Sequence, residues 1–252
     1  MSLFEELIED RVGDEKIIKS FESKETLSDN IFETSGKKIV MRDDIRKSLL
    51  KIADEFVDTL GIEFFIHDVV LTGSLANYNW SNFSDVDLHI VIDYKETDYN
   101  INLLKEFFDA KKNVWNEKHD IKIKGFDVEV YVQDVEEPHI SSGVYSILNN
   151  KWIIEPEMSK PNIDERKILE KGEEYAKKID NLISKAQKGN DVIKEIESLR
   201  KKLKTFRQSG LDGGGEYSYE NLTFKLLRRN GYIGKLLKLK TIVTDKKLSV
   251  AQ

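Results

Sequence analysis

The sequence predicts an α+β chain: strands interleaved with helices up to about Pro156, then a helical C-terminal domain. Three observations carry this. Between residues 43 and 133, β-branched and aromatic runs with period-two alternation are interleaved with stretches of helical spacing. Pro156 and Pro161 then bracket a change of composition. Beyond them the apolar residues recur at helical spacing. The organisation expected is an N-terminal arm (1–40), an α/β module (41–156) and a helical module (157–252).

The elements follow in order. Residues 1–40 are polar and weakly patterned, and read as a loose arm with one short helix. "RDDIRKSLLKIADEFVDTLG" places Ile45, Leu49, Ile52, Ala53, Phe56 and Leu60 on one helical face and stops at Gly61. "IEFFIHDVVLTG" reads as a strand ending at Gly73, and residues 85–93 as a second. A helix follows in "TDYNINLLKEFFDAKKNVWNEKH", with Leu103, Leu104, Phe107, Phe108 and Trp115 as core candidates. "IKIKGFDVEVYVQD" reads as a third strand bent at Gly125. "GVYSILNNKWIIEP" fits either a hairpin or a short helix plus a strand. Two helices over 164–187 and 191–208 are joined by "KGND", with an Asx-type cap at Asn190 or Asp191. "LDGGGEYS" reads as a break with a glycine hinge, and a last helical stretch is split at Asn230-Gly231.

Composition narrows the class. With 252 residues the chain can build a substantial core. It holds no cysteine, so disulfides and thiolate metal sites are excluded, and a reducing cytoplasm is the expected compartment. No apolar run approaches the roughly 18–20 residues of a membrane span. The acidic start of "MSLFEELIEDRVGDEKIIKS" lacks the long apolar stretch of a secretory signal. His67, His89, His119 and His139 show no ligand spacing. The net charge of −6 is unevenly spread: from Asn190 onward there are 14 Lys+Arg against 7 Asp+Glu, a net +7, which leaves −13 for the rest. An acidic body suits cations and a basic tail suits anions, although both are also what solvated faces look like.

The chemistry concentrates in "LTGSLANYNWSNFSDVDLHIVID", residues 71–93. Alternation along a strand puts Asp85, Asp87 and His89 on one face and Val86, Leu88, Ile90 and Ile92 on the other. The apolar face can pack on helices, while two carboxylates about 7 Å apart at their Cα atoms face outward. From "FDVEVYV" onward the same alternation puts Asp127, Glu129, Tyr131 and Gln133 together, so Glu129 or Asp127 can supply a third acid. Three crowded carboxylates repel one another. A divalent cation among them removes that penalty, and Mg²⁺ prefers such hard oxygen ligands together with phosphates. Upstream, Gly73 permits a sharp turn and close backbone approach. Ser74 is placed to cap a short helix, "LANYNW", whose N–H groups would receive an anion.

This combination resembles the nucleotidyltransferase superfamily of the DNA polymerase β type. The resemblance rests on Gly73-Ser74, Asp85-Val86-Asp87 in "SNFSDVDLHIV", and Glu129 in "VEV", and spans about residues 43–155. The whole chain also resembles uncharacterised nucleotidyltransferases of tailed phages. What the resemblance implies is a mixed sheet with flanking helices and a C-terminal helical domain closing a nucleotide cleft. It implies an NTP held as a complex with Mg²⁺ (or Mn²⁺): Gly73 and Ser74 on the β/γ phosphates, Asp85 and Asp87 on both ions, and Glu129 on the ion that activates a hydroxyl acceptor. The acceptor class stays open among RNA, a nucleotide, a protein and a small molecule, and a non-catalytic nucleotide-binding module on the same fold is the alternative. Two departures stand out. The third acid is usually Asp, leaving Asp127 as a rival to Glu129, and the toxin-type "GSxARG" is here "GSLANYN". Arg228 and Arg229, with Lys225 and the group Lys201, Lys202, Lys204 and Arg207, are candidate contacts for triphosphate or nucleic acid, or else solvated helix faces. The loop Ser141-Ser142-Gly143 is a further candidate for phosphate or sugar, and Tyr131 for stacking on a base.

Overall fold

The alternation in "VDLHIVI" becomes a central strand of a six-stranded sheet in a computed structural model that describes residues 13–97, 99–139 and 141–250. The chain divides into two compact units, Met1–Phe21 with Pro161–Gln252 and Glu22–Lys160. In chain order the elements are α1 (Asp14–Lys19), β1 (Phe32–Ser35), β2 (Lys38–Met41), α2 (Asp43–Asp58), β3 (Ile66–Thr72), β4 (Val86–Ile92), α3 (Ile101–Lys118), β5 (Lys122–Ile123), β6 (Phe126–Asp134), β7 (Val144–Ser146), β8 (Lys151–Ile154), α4 (Glu165–Gln187), α5 (Ile193–Gly214), α6 (Tyr219–Arg229) and α7 (Tyr232–Leu248).

In the Glu22–Lys160 unit the sheet runs β5-β6-β4-β3-β7-β8. β4 is parallel to β6 and antiparallel to β3, so the sheet is mixed. A parallel pair needs a long crossover, and α3 supplies it. β5 pairs with β6 only as far as Asp127, which leaves the outer edge of β6 open beyond that point. There the Asn116 side chain on α3 accepts from the Val130 N–H at 3.1 Å and donates to the Val130 carbonyl at 3.2 Å. An exposed edge is thereby covered by a helix and its backbone groups are paired. Val86, Leu88, Ile90 and Ile92 are fully buried against Leu49, Phe56, Leu104 and Phe108 of α2 and α3. Each such side chain contributes roughly 1.5–3 kcal/mol from burial.

Several sequence expectations change. The arm is not uniformly loose: among its described residues α1 clusters with the helical unit, while Leu27, Ile31 and Phe32 are buried in the sheet unit's core. The β1–β2 hairpin escaped notice because four-residue strands carry too little alternation, and Glu33, Thr34 and Ser35 are all exposed. The bend at Gly125 is a tight hairpin, with Lys124 and Gly125 both at positive φ (51° and 90°). β7 and β8 settle the open choice for 143–156 as a hairpin. Leu103 is 61% exposed, because the buried stripe of α3 is Leu104, Phe108 and Trp115, and one residue along a helix turns the side chain by about 100°.

The helical unit has its own core, built on Tyr175, Ile179, Ile196, Leu203, Leu227 and Leu236. The glycine break lies later than expected: α5 runs to Gly214 and ends at Gly215, whose φ is +68°. Gly210 is helical and tightly packed; a Cβ there would lie 2.6 Å from the Cβ of Glu220. The split at Asn230-Gly231 is as expected, with Gly231 in the left-handed region.

Candidate active site

The acid-bearing face of the sheet is assembled by register. Thr72 on β3 pairs with Asp87 on β4, and Asp87 pairs with Glu129 on β6. Gly73, the residue after Thr72, therefore lies beside the Asp87 carboxylate. Its φ is +73°, and a Cβ at this position would stand 1.9 Å from Asp87 Oδ2. Only glycine satisfies both the backbone geometry and the space. Asp85, Asp87 and Glu129 are all half-buried, while the intervening Val86, Leu88, Val128 and Val130 are buried.

A hydroxyl network fixes the turn after Gly73. Ser74 begins a single 3₁₀ turn, Ser74–Ala76, and does not cap it; its hydroxyl donates to Ser84 Oγ at 2.7 Å. The expected short helix over "LANYNW" is this one turn, which ends at Asn77 in extended conformation and runs into a bend and a second turn; the buried Asn77 side chain accepts from the Tyr78 N–H at 2.7 Å. Ser84 Oγ also accepts from the Ser81 N–H at 2.9 Å, tying the turn to the entrance of β4. From the other side, Ser141 Oγ accepts from the Gly73 N–H at 3.3 Å and donates to the Gly143 carbonyl at 2.9 Å. Asn77 donates to Ser142 Oγ. Gly143 is pressed so closely to this turn that a Cβ there would lie 1.9 Å from the Ala76 carbonyl oxygen. The Ser141-Ser142-Gly143 loop thus joins the Gly73-Ser74 turn.

The two candidate third acids separate in their surroundings. Asp127 is exposed and held by Lys122, its register partner on β5. Glu129 accepts a hydrogen bond from the Tyr131 hydroxyl. Burial first, and then the charges of Glu129, Asp87 and Asp85, drive the Tyr131 phenol well above its ordinary value, so it stays a donor. Lys112 of α3 lies over the Tyr131 ring at 4.9 Å, and His89 sits beside it at 4.9 Å between centroids. His89 Nδ1 is 2.8 Å from Gln133 Oε1, and burial holds its pKa below the ordinary value.

Hard oxygen donors at Asp85 and Asp87, with Glu129 the register partner of Asp87, are of the kind that suits Mg²⁺ or Mn²⁺. Among the described residues, three ligand-type side chains with atoms all within 4.8 Å occur elsewhere: His67, Asp93 and Glu96, at the opposite end of β3 and β4. Arg228 and Arg229 belong to the helical unit. Arg228 is exposed, while the Arg229 guanidinium lies over the Phe21 ring at 5.1 Å and donates to Ser20. Lys201, Lys202, Lys204 and Arg207 are exposed on α5. Gln133 lies where alternation puts it, on the face of Glu129 and Tyr131, and meets His89 there. The neighbour that the sequence did not indicate is His139, whose Nδ1 is 3.5 Å from Gln133 Nε2. No protein-family model, curated protein or solved structure matches the chain.

Proposed function

We propose that the Glu22–Lys160 unit is a polymerase-β-like nucleotidyltransferase that moves NMP from an NTP to a hydroxyl with release of pyrophosphate. The observation that carries this is the alignment of Thr72, Asp87 and Glu129 across β3, β4 and β6, with Gly73, the next residue, pressed on the aspartate. In this reading Asp85 and Asp87 hold Mg²⁺ or Mn²⁺, and Glu129 completes the set. Such ions supply charge neutralisation at the attacking and leaving oxygens of an in-line displacement. Gly73 and the Ser74 turn receive the triphosphate, with Ser141 closing one side. Asp127 is left to its ion pair with Lys122.

The test is transfer of label from an α-³²P NTP mixture in the presence of Mg²⁺, across RNA, nucleotide, protein and small-molecule acceptors. Transfer that vanishes in Asp87→Ala supports the reading. Metal-dependent NTP binding with no transfer to any class would instead favour a non-catalytic nucleotide-binding module. The hydrogen bond that occupies Glu129 is the observation on that side.

A further inference from the structure

A cleft of about 370 Å³ opens on the acid-bearing face, with His89, Tyr131 and Gln133 as its floor and Lys105, Asp109 and Lys112 of α3 along one wall. It continues directly from the acids: His89 follows Asp87 at the next same-face position of β4, and Tyr131 and Gln133 follow Glu129 on β6. Granted the nucleotidyl-transfer reading above, its use follows from in-line geometry. Attacking and leaving oxygens stand on opposite sides of the phosphorus. Pyrophosphate leaves toward the Gly73-Ser74 turn beside β3, so the attacking hydroxyl enters from the β6 side, where Tyr131, Val132 and Gln133 line the cleft; Thr72 and Ser141 line its other side, next to the turn.

The lining constrains what enters. The cleft falls in the size range of small-molecule sites. Its charges are balanced in pairs, Lys112 with Asp109 at 2.8 Å and Lys105 with Glu137 at 3.4 Å. Residues 22–160 carry 16 Lys+Arg against 27 Asp+Glu, a net −11, the wrong sign for a surface that gathers phosphates. The floor is polar and oriented. Gln133 Nε2 donates to the Glu137 carbonyl at 3.2 Å, which turns Oε1 toward His89 Nδ1. His89 then carries its proton on Nδ1 and a lone pair on Nε2, an acceptor for a hydroxyl. The neighbouring Tyr131 and His89 rings offer a surface for the face of a ring.

We propose that this cleft binds the acceptor, and that the acceptor is a small uncharged ring compound bearing hydroxyls, of the sugar or nucleoside kind, not a nucleic acid or a protein. Its hydroxyl oxygen bonds to the α-phosphorus as the bond from that phosphorus to the bridging oxygen breaks. Pyrophosphate departs and the hydroxyl proton passes to solvent.

The test is amide chemical-shift mapping on the ¹⁵N-labelled full chain, titrated separately with D-glucose, adenosine, glucose 6-phosphate and a short single-stranded oligoribonucleotide. At least one neutral compound is expected to shift His89, Tyr131 and Gln133 saturably, with glucose 6-phosphate about tenfold weaker because a dianion meets a net-negative unit. Tighter binding of glucose 6-phosphate or the oligoribonucleotide at these residues would overturn the proposal. So would the failure of both neutral compounds to shift them at millimolar concentration. Mg²⁺–NTP shifts at Asp85 and Asp87 are read in the same samples. Their absence sinks the nucleotidyltransferase reading, whereas silence of the neutral probes alone sinks only the acceptor assignment.

Discussion

Two carboxylate clusters lie at opposite ends of the same pair of strands, and they are built differently. At one end His67 meets Glu96 at 2.9 Å with Asp93 close by, all on or near the surface. At the other end Asp85, Asp87 and Glu129 are half-buried, and a glycine is pressed on one of them. The first cluster is the tighter, with Glu96 held by the histidine and Asp93 by the Lys95 N–H at 2.8 Å. An exposed pair of this kind is worth little. The second keeps acids together on a sheet face beside a turn of hydroxyls and a cleft. Closeness of ligand atoms and the gathering of like charges on one sheet face thus point to different places on these two strands.

That contrast can be broken most forcefully at Asp87. Asp87→Ala is expected to lower nucleotidyl transfer by about 10³-fold or more, since a ligand shared by both ions is lost. Gly73→Ala comes next. The added methyl meets the Asp87 carboxylate at 1.9 Å and imposes a strained φ, so the pair must separate. A displacement of that order costs about 10²-fold in transfer, with a melting curve checking that the fold persists. Tyr131→Phe removes the hydrogen bond that occupies Glu129. Metal affinity measured by calorimetry is expected to tighten several-fold, by about 1 kcal/mol.

A smaller effect concerns proton linkage. Burial depresses the His89 pKa in the folded chain, so the unfolded chain takes up the proton first as pH falls. Stability is full above about pH 6.5 and declines as pH drops through that value toward the lowered folded one. Urea unfolding at a series of pH values checks this, and His89→Gln flattens the decline. Smallest of all is Glu96→Gln at the surface cluster, which is expected to change stability by under about 1 kcal/mol and to leave transfer unaltered.

Much of the site was legible because a strand's period of two assigns faces without knowledge of its neighbours. Asp85, Asp87, Glu129 and the apolar face of β4 all came from alternation. The difference between Asp127 and Glu129 did not, because both lie on one face; pairing separates them, setting Glu129 opposite Asp87 and Asp127 opposite Lys122. Ser74 was misread for a related reason. A serine before a short polar stretch suits a helix cap, but its partner is Ser84, ten residues on, brought near by the antiparallel return of the chain. The roles of Gln133 and Ser141 depend on contacts across loops, which local patterns do not carry. The fold was clearest where helices exceed three turns, as in α2 and α4, and least clear in the short strands β1, β2 and β7.

The central claim is that the acids beside Gly73, and not the tighter cluster at His67, hold a metal–nucleotide complex. Calorimetric titration of the full chain with an α,β-non-hydrolysable NTP tests it directly. The account expects binding that requires Mg²⁺, disappears in Asp87→Ala and survives in Glu96→Gln. Equal binding without Mg²⁺, or binding abolished by Glu96→Gln and kept by Asp87→Ala, would contradict it.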